Sequence, residues 1–271
     1  LAPLYSVEDQ GLTLLRLVGG IELSDYLDIV ALQGREEEVW SAILTYLEEE
    51  SPPWETLDLH NLPAASPTRQ LLPRLAPRWG LKIEEEVEDV CPLLELPGDW
   101  GQYLALLGGK QRHELRRKLR KAQREARVDW YIVREEEKLA SEVDDFLTLH
   151  GKSSPEKEEF MDREMQPFFH QMAQTTFQAG WLRLGFLLTN GIKVASLLSF
   201  DYGDALLLYN SGYDPERYRD LSPGVLATAF SIEEAISQGK RVYDFLQGDE
   251  EYKYRFGAQD THVYHLTVNR V

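Results

Sequence analysis

One segment near the C-terminus, Tyr243 to Gly257, constrains the fold more than any other, and it reads Y-D-F-L-Q-G-D-E-E-Y-K-Y-R-F-G. Its apolar and aromatic beginning is typical of a half-buried strand, yet it contains Asp244, and a carboxylate is costly to bury without a partner. Gly248 is expected to end the strand, and Asp249 with the glutamates after it predicts the start of a helix. That helix presents Lys253. A buried acid beside a turn that presents a cation indicates a functional site.

The composition places the chain among folded proteins. Its 271 residues, 43% apolar content and six tryptophans suffice for one large domain or two of ordinary size. The sequence shows no apolar run of membrane-spanning length and no signal peptide ahead of its first strand, so we expect a soluble, cytoplasmic protein. The single cysteine, Cys91, has no metal-ligand spacing, and we expect it to be a small buried residue.

The charge distribution is uneven. The net charge of -17 argues against general nucleic-acid affinity, but residues 110–127 carry nine lysines and arginines against two glutamates, a local charge of +7. We expect a helix here, with Leu115, Leu119 and Ala122 on its buried side. Its cationic side is either a solvated face against this protein's own acidic surface, or a surface that contacts a phosphorylated donor, RNA or a polyanionic glycan.

Sequence patterns predict a mixed α/β (α+β) chain. Helices are expected over residues 100–126, with a possible interruption at Gly108-Gly109, over 139–150 and over 160–179. Three strands follow, and Asn190-Gly191 predicts a hairpin between the first two. Ser222 is expected to cap a helix that has Pro223 at its first position and ends at Gly239.

Two parts of the chain share one order of elements. The stretch Leu57-Asp-Leu-His-Asn61 resembles Tyr243-Asp-Phe-Leu-Gln247, so that Asp58 corresponds to Asp244. We interpret the chain as two copies of one α/β unit, the first of which is truncated at its start. The predicted divisions are an incomplete N-terminal half over residues 1–98, a basic connecting helix over 99–127 and a C-terminal domain over 128–271.

Several motifs resemble those of a known family. They are R-R-K-L-R-K at 116–121, S-G-Y-D-P at 211–215, L-S-P-G at 221–224 and the segment 243–257. With the order of elements after residue 128, they are similar to the GNAT superfamily of acyltransferases, and more closely to its FemAB-like branch, which includes the group named after the cellulose-biosynthesis protein CelD. The resemblance implies a mixed, mostly antiparallel sheet flanked by helices, in two tandem GNAT-like units.

The resemblance also implies a reaction. GNAT enzymes transfer an acyl group from acyl-coenzyme A to an amine or, less often, a hydroxyl, whereas FemAB enzymes of peptidoglycan bridges use aminoacyl-tRNA. In those bridge enzymes a lysine in an F-K-x-x-F-G-like segment supports the reaction. Tyr252-Lys-Tyr-Arg-Phe-Gly257 matches that segment, so the role falls on Lys253, which we expect at the mouth of a gap between diverging strands.

The donor is expected at a loop before a helix. The GNAT pyrophosphate loop usually reads Q/R-x-x-G-x-G/A, and the corresponding place here is Arg219-Asp-Leu-Ser-Pro-Gly224. Ser222 replaces the first glycine, and Pro223 lacks an N–H that could bind phosphate. The resemblance therefore implies donor contacts from Arg219, Ser222, Gly224 and the preceding Ser211, while one amide donor is missing.

Further candidates complete the predicted site. Asp244 is a candidate for the base or for holding the amine, and the alternative is a structural ion pair with Lys253. Tyr209 is a candidate for the acid that protonates the leaving group. The candidates for substrate binding are Tyr213, Gln247, Tyr252, Arg255 and His150.

The histidines on the last strand do not indicate a metal site. His262 and His265 have no acidic ligand set near them in the sequence, and His60 is expected to be structural. The sequence therefore favours a metal-free acyltransferase with acyl-coenzyme A as co-substrate and a small-molecule or glycan acceptor. The alternatives are aminoacyl transfer from tRNA, and a non-catalytic protein that binds carbohydrate or protein.

Overall fold

The computed structural model describes residues 1–161 and 164–270, except for the side chain of residue 22. The strands, in chain order, are β1 (Leu4–Asp9), β2 (Leu12–Leu17), β3 (Thr56–Pro63), β4 (Leu81–Glu95), β5 (Val128–Ile132), β6 (Leu182–Thr189), β7 (Ile192–Tyr202), β8 (Ala205–Tyr213), β9 (Val242–Asp244) and β10 (Gln259–Arg270).

The α-helices lie between these strands. They are α1 (Gly20–Leu23), α2 (Glu36–Glu49), α3 (Pro67–Leu75), α4 (Trp100–Leu106), α5 (Gly109–Glu125), α6 (Glu136–Ser153), α7 (Pro155–Phe160), α8 (Met165–Gln178), α9 (Pro223–Ser237) and α10 (Glu251–Arg255). Short 3-10 helices cover Ala76–Trp79 and Arg219–Leu221. Among the described residues, no helix combines the length and the apolar character that crossing a bilayer requires.

The described residues form two compact units. The first unit contains Leu1–Cys91, Gln247–Asp249 and the chain from Asp260 onward, and the second contains Pro92–Leu246 and Glu250–Gln259. The predicted divisions after residues 98 and 127 stay predictions.

The first unit is built on strands in the order β1-β2-β3-β10-β4. β1 pairs with β2 and β3 pairs with β10 in antiparallel fashion, whereas β2 and β3 are parallel. One face of these strands packs against α2 and α3 around the fully buried side chains of Trp40, Leu57, Leu59 and Leu72. The indole of Trp40 donates a hydrogen bond to Thr68 Oγ1 at 2.8 Å, so the helices are joined inside this core.

The second unit contains strands in the order β4-β9-β8-β7-β6-β5. Successive side chains of a strand point to opposite faces, and here both faces are covered. Leu197 of β7 belongs to a cluster with α5 and α9, while its neighbour Leu198 belongs to a second cluster with α6 and α8. This mixed, mostly antiparallel sheet between two layers of helices is the predicted fold class.

Local sequence signals fixed several boundaries. Asn190 and Gly191 have φ values of 52° and 80°, the positive angles that a type I′ hairpin turn needs, and β6 and β7 pair on either side of them. The helix interruption at Gly108-Gly109 is confirmed, since α4 ends at Leu106 and α5 starts at Gly109. Of the helix predicted over 160–179, residues 162 and 163 lie outside the described residues, and α8 starts at Met165.

Other local predictions were wrong. The strand expected through Leu246 ends at Asp244, because Leu246 takes a left-handed φ of 56°. Asp249 does not cap the following helix: α10 begins at Glu251, and the residue at its N-cap position is Glu250.

Both units contain a hairpin whose second strand runs parallel to a later strand. In the first unit the parallel register pairs Arg16 with Asp58, and in the second it pairs Leu207 with Asp244. Asp58 and Asp244 thus occupy equivalent places in these two pairs of strands. The similarity between the sequence segments 57–61 and 243–247 suggested this correspondence. That the first unit is a truncated copy of the second stays a prediction.

Candidate active site

A gap opens where two parallel strands part. β8 and β9 pair only from Ala205–Val242 to Leu207–Asp244, and β9 ends there, whereas β8 continues to Tyr213. Residues 208–213 of β8 therefore extend past the end of their neighbour. Three of these residues, Ser211, Gly212 and Tyr213, line a cavity.

The loop before α9 has the conformation that a glycine would favour. Ser222 lies in the left-handed region with φ 57° and ψ 62°, directly before Pro223. It occupies the N-cap position, as predicted, but its side chain makes no capping hydrogen bond, so the predicted cap is wrong. The first amides of α9 have no partner within the helix and are oriented to receive an anion.

A cavity of about 540 Å³ lies between the end of β8 and the start of α9. The residues that line it come from β7, β8, the loop after β8, α9 and α10. They are Leu197, Ser211, Gly212, Tyr213, Asp214, Pro215, Arg219, Ser222, Pro223, Gly224, Val225, Thr228 and Tyr252. The structure thus brings the predicted donor-binding residues together with Tyr213 and Tyr252 in a single cavity.

The basic helix α5 contacts the same loop. Lys118 Nζ donates a hydrogen bond to Ser222 Oγ at 2.6 Å, and Lys121 Nζ donates to the backbone oxygen of Asp220 at 2.9 Å. Burial lowers the pKa of Lys118. The sequence marked α5 as cationic but did not single out Lys118, because the contact joins residues that lie 104 positions apart.

A second cavity of about 320 Å³ is lined by residues of α5, α9 and α10. Its lining includes Lys110, Lys118 and Arg255, together with Val225 and Tyr252, which also line the larger cavity. Arg255 is exposed and forms an ion pair with Glu251 at 2.8 Å. Tyr252 therefore stands where the two cavities share a wall.

Tyr252 carries a phenol whose protonation state is well defined. Burial, together with the nearby Glu250 carboxylate, raises the pKa of its phenol well above the ordinary value. The hydroxyl therefore keeps its proton at neutral pH. Its ring packs edge-on against Phe245 with a centroid separation of 6.0 Å, which fixes its orientation.

Lys253, which the sequence placed at the mouth of the gap, is buried in the structure. Its side chain is 3% exposed, and Nζ donates to the backbone oxygen of Leu246 at 3.3 Å and forms an ion pair with Glu250 at 2.8 Å. Lys253 is absent from the lining of both described cavities, although the adjacent Tyr252 lines each of them. The ammonium group holds the turn between β9 and α10.

Asp244 belongs to the same turn. It is buried, as predicted, and its Oδ1 accepts a hydrogen bond from the backbone N–H of Leu246 at 2.8 Å. This contact, from a side chain to the amide two residues on, supports the left-handed backbone of Leu246. Asp244 does not appear among the residues described as lining the two cavities.

Tyr209 and His150 lie in the core under the opposite face of the sheet. Tyr209 packs against the rings of Phe169 and Phe200 with centroid separations of 6.1 and 5.4 Å. His150 is 2% exposed, and Nε2 is 2.8 Å from Asn210 Oδ1. Burial, and then the charge of Lys157, lower the pKa of His150 to about 4, so the ring is neutral at pH 7.

The backbone of His150 packs closely against Gly212. A Cβ atom at Gly212, which lines the larger cavity, would lie 2.3 Å from the backbone nitrogen of His150, so this approach of α6 to β8 requires glycine. The remaining predicted substrate residue, Gln247, belongs to the first unit. Its backbone N–H and its side-chain amide both donate to Asp25.

Asp214 lines the larger cavity but was not among the predicted site residues. It is buried, and although burial raises its pKa, hydrogen bonds from Lys152 and from the backbone amides of Arg217 and Glu216 lower that pKa overall. The carboxylate thus stays ionised and braces the loop after β8. The S-G-Y-D-P motif contained this residue, and its Asp-Pro pair is the signal that could have identified it.

The family model described as an acetyltransferase (GNAT) domain matches residues 109–254, which is more than half of the chain. The chain belongs to the GNAT superfamily. This confirms the superfamily inferred from the sequence motifs, and the match covers α5, the loop before α9 and the segment up to Tyr254. No curated protein sequence matches the chain.

Solved structures share this GNAT chain's fold at low sequence identity. A conserved protein of unknown function from Bacteroides thetaiotaomicron has a TM-score of 0.65 at 11% identity, covering 99% of this chain and 84% of its own. FemX has a TM-score of 0.62 at 12% identity, covering 98% and 83%. The C-terminal domain of a putative lysylphosphatidylglycerol synthetase from Agrobacterium fabrum has a TM-score of 0.62 at 11% identity, covering 98% and 84%. The likeness to FemX agrees with the predicted FemAB-like branch and concerns the fold.

Proposed function

We propose that this chain transfers an acyl group from the thioester of an acyl-coenzyme A to an amine or a hydroxyl. One observation carries the proposal: a single cavity of about 540 Å³ is lined by three features of the fold. They are the end of β8 that extends past β9, the left-handed loop at Ser222 and the first turn of α9. Such a cavity offers a wall for an acyl chain and a helix N-terminus for its phosphates.

The phosphate groups would bind at the loop Arg219–Gly224. The sequence left one amide donor missing here, because proline follows Ser222. Lys118, whose ammonium is 2.6 Å from Ser222 Oγ, supplies a cation at that place, and Arg219 supplies a second one. Charge-assisted hydrogen bonds of this kind are stronger than neutral ones, so they offset the lost amide.

The chemical step needs a proton for the leaving group. The acceptor nitrogen forms a bond to the acyl carbon, the carbon–sulfur bond breaks, the nitrogen releases a proton to water and the sulfur takes one up. Tyr252 is the residue we assign as the acid, since its phenol is protonated and the residue lines both cavities. The acceptor would then enter through the cavity of about 320 Å³.

Lys253 and Asp244 would support this step without touching the donor. Lys253 bonds the carbonyl oxygen of Leu246 and Asp244 bonds its amide, so the two side chains fix the turn that leads into α10. Tyr252 is the residue of α10 that this turn positions. We therefore assign Lys253 and Asp244 as positioning residues.

Calorimetric titration with acetyl-coenzyme A, a longer acyl-coenzyme A and free coenzyme A tests the donor. We expect binding, a raised melting temperature, and an affinity at least tenfold lower in Arg219→Ala. Arg241→Ala is the matched control, because Arg241 is 80% exposed and does not line the cavity.

Release of free thiol with a panel of amines then tests turnover. Binding without turnover indicates a non-catalytic protein, and no binding of any of the three refutes the acyl-coenzyme A donor.

The position of α5 favours a second candidate, aminoacyl transfer from tRNA. Lys118 and Lys121 contact the loop before α9, and exposed arginines continue the cationic face of α5 at Arg116, Arg120 and Arg124. A polynucleotide needs such an extended face, whereas coenzyme A does not. Binding of aminoacyl-tRNA that weakens steeply with salt, together with no response to coenzyme A, supports this second candidate.

A further inference from the structure

A cluster of histidines and acids lies in the first unit, outside the site described above. Asp58 and His60 are on β3, and His265 is on β10, which pairs with β3. No set of acidic ligands lies near His265 in the sequence, and that ground for excluding a metal is wrong, because the fold brings acids to it. Asp58, which lies 207 positions away along the chain, is its nearest acidic partner.

Three potential metal ligands converge in this cluster. His265 Nε2 is 2.6 Å from Asp58 Oδ1, and His60 Nε2 is 3.2 Å from Asp58 Oδ2. The two imidazole rings stack with centroids 4.0 Å apart and planes inclined by 8°. The ligand atoms of these residues all lie within 4.8 Å of one another, so a single ion can reach each of them after small rotations of the side chains.

The outer nitrogens of both rings also face carboxylates. His60 Nδ1 is 2.5 Å from Glu88 Oε1, and His265 Nδ1 is 3.2 Å from Glu86 Oε1. A histidine that binds a metal through one nitrogen typically donates its other N–H to a carboxylate, which fixes the tautomer. With Nδ1 as the donor to these carboxylates, the Nε2 atom of each ring, which faces Asp58, is the atom that would bind an ion.

The surrounding charges suit a divalent ion. The cluster contains three carboxylates, from Asp58, Glu86 and Glu88. A cation lies beside them: Arg16, whose Nε donates a hydrogen bond to Asp58 Oδ2 at 2.7 Å. These three carboxylates and one guanidinium together carry a net charge of -2 around the two imidazole rings. The side chain of Asp58 is 8% exposed, and those of His60 and His265 are 14% and 19% exposed. These three ligand groups therefore lie in a partly dry environment, where a divalent cation is attracted more strongly than in water.

We propose that Asp58, His60 and His265 form a binding site for a divalent transition-metal ion of the Zn²⁺ type. Two imidazole nitrogens and one carboxylate oxygen are ligands that Zn²⁺ accepts, and they leave a coordination position for water. Glu88 and Glu86 orient the two histidines, and Arg16 orients Asp58. The site joins β3 to β10, so an ion bound there would stabilise the first unit.

Titration of the tag-free, chelator-treated protein with Zn²⁺ tests the proposal, and Co²⁺ reports the ligand geometry through its visible absorption. We expect one ion per chain with a dissociation constant in the micromolar range or below, and a raised melting temperature. His60→Gln and His265→Gln should each weaken binding at least tenfold. His170→Gln is the matched control, because His170 also pairs with an acid, Asp144 at 2.9 Å, but outside the cluster.

A further variant separates ligand loss from loss of structure. Glu88→Gln keeps the three ligands and removes the charge that orients His60, so we expect Zn²⁺ to bind about tenfold to a hundredfold more weakly. Circular dichroism verifies that each variant is folded before titration. Absence of Zn²⁺ binding to the wild type, or equal binding in the wild type and the folded histidine variants, overturns the proposal and leaves the cluster as a network of hydrogen bonds.

Discussion

Lys118 Nζ lies 2.6 Å from Ser222 Oγ, and this contact joins the basic helix α5 to the loop that precedes α9. Ser222 stands where the GNAT pyrophosphate loop usually has glycine, and its left-handed φ of 57° preserves the backbone path that glycine allows. The serine therefore keeps the shape of the loop and also brings a lysine to it. The loop lacks the amide donor of residue 223, which is proline, and it has the ammonium group of Lys118 beside it.

Replacement of Lys118 should weaken donor binding. Lys118→Met keeps much of the side-chain volume and removes the charge, and we expect about a tenfold loss of affinity for acyl-coenzyme A, equivalent to about 1.4 kcal/mol. Calorimetric titration measures it. Arg117→Met is the control, since Arg117 is on the same helix, exposed, and paired with Glu114 at 2.7 Å. Equal affinities in the two variants would show that Lys118 has no part in donor binding.

Two substitutions at Ser222 should differ in stability. Ser222→Gly and Ser222→Ala both delete the hydroxyl that accepts from Lys118, but only alanine keeps a Cβ at a position with φ 57°. The left-handed region costs a residue with a Cβ roughly 1 kcal/mol relative to glycine. We expect the glycine variant to have the larger free energy of unfolding in urea by about that amount. A more stable alanine variant would contradict the left-handed conformation.

Tyr252→Phe tests the assigned acid. The phenylalanine ring keeps the packing against Phe245 and removes the hydroxyl, so donor affinity and melting temperature should change little. We expect kcat to fall by about a hundredfold, a usual contribution of general acid catalysis. Free thiol release measures kcat. Tyr254→Phe, on the same helix but outside the described cavity linings, serves as the control, and an equal effect in both variants argues against Tyr252.

Lys253 should affect both stability and turnover. In Lys253→Met the apolar stem is kept but the bonds to Leu246 and Glu250 are lost, and a buried carbonyl without its partner costs about 1 to 3 kcal/mol. We expect the free energy of unfolding to fall by that amount, and turnover to fall at least tenfold through a displaced Tyr252. Arg255→Met is the stability control, because its ion pair is exposed and contributes little. Full stability with reduced turnover would instead indicate direct participation in catalysis.

The neutral state of His150 predicts a dependence of stability on pH. Its pKa is lowered from 6.5 to about 4 in the folded protein, so between these values the unfolded chain binds more protons. The stabilising effect is complete above pH 6.5 and is lost as the pH falls toward 4. Between pH 7 and 4.5 the wild type should lose about 2 kcal/mol more than His150→Gln. Urea unfolding at both values measures the difference, and parallel losses in the two proteins would contradict the prediction.

Much of the candidate site could be located from the sequence. Its signals are short-range, because each depends on residues within a few positions of one another. They are the motif Arg219–Gly224, the pair Pro223 and Gly224 at the start of a helix, and the end of β8 near Ser211. The structure placed them around one cavity, together with Tyr213 and Tyr252. The superfamily was recognisable for the same reason, since its motifs are local.

The orientation of individual side chains was decided by the tertiary structure. The sequence marked Lys253 as the reactive group, but burial directs its ammonium to the carbonyl of Leu246 and leaves Tyr252 at the cavities. A helix of few residues shows no periodicity from which its buried side could be read, so the two neighbours could not be distinguished in advance.

The sequence by itself thus determined the superfamily, the hairpin at Asn190-Gly191 and the place of the loop Arg219–Gly224 before a helix. The tertiary structure decided the contact of Lys118 with Ser222 and the meeting of His265 with Asp58, pairs separated by 104 and 207 positions. Turn and capping preferences act over a few residues and are visible in the chain. Strand register and helix packing bring distant side chains within hydrogen-bonding distance, and that proximity exists only in the folded protein.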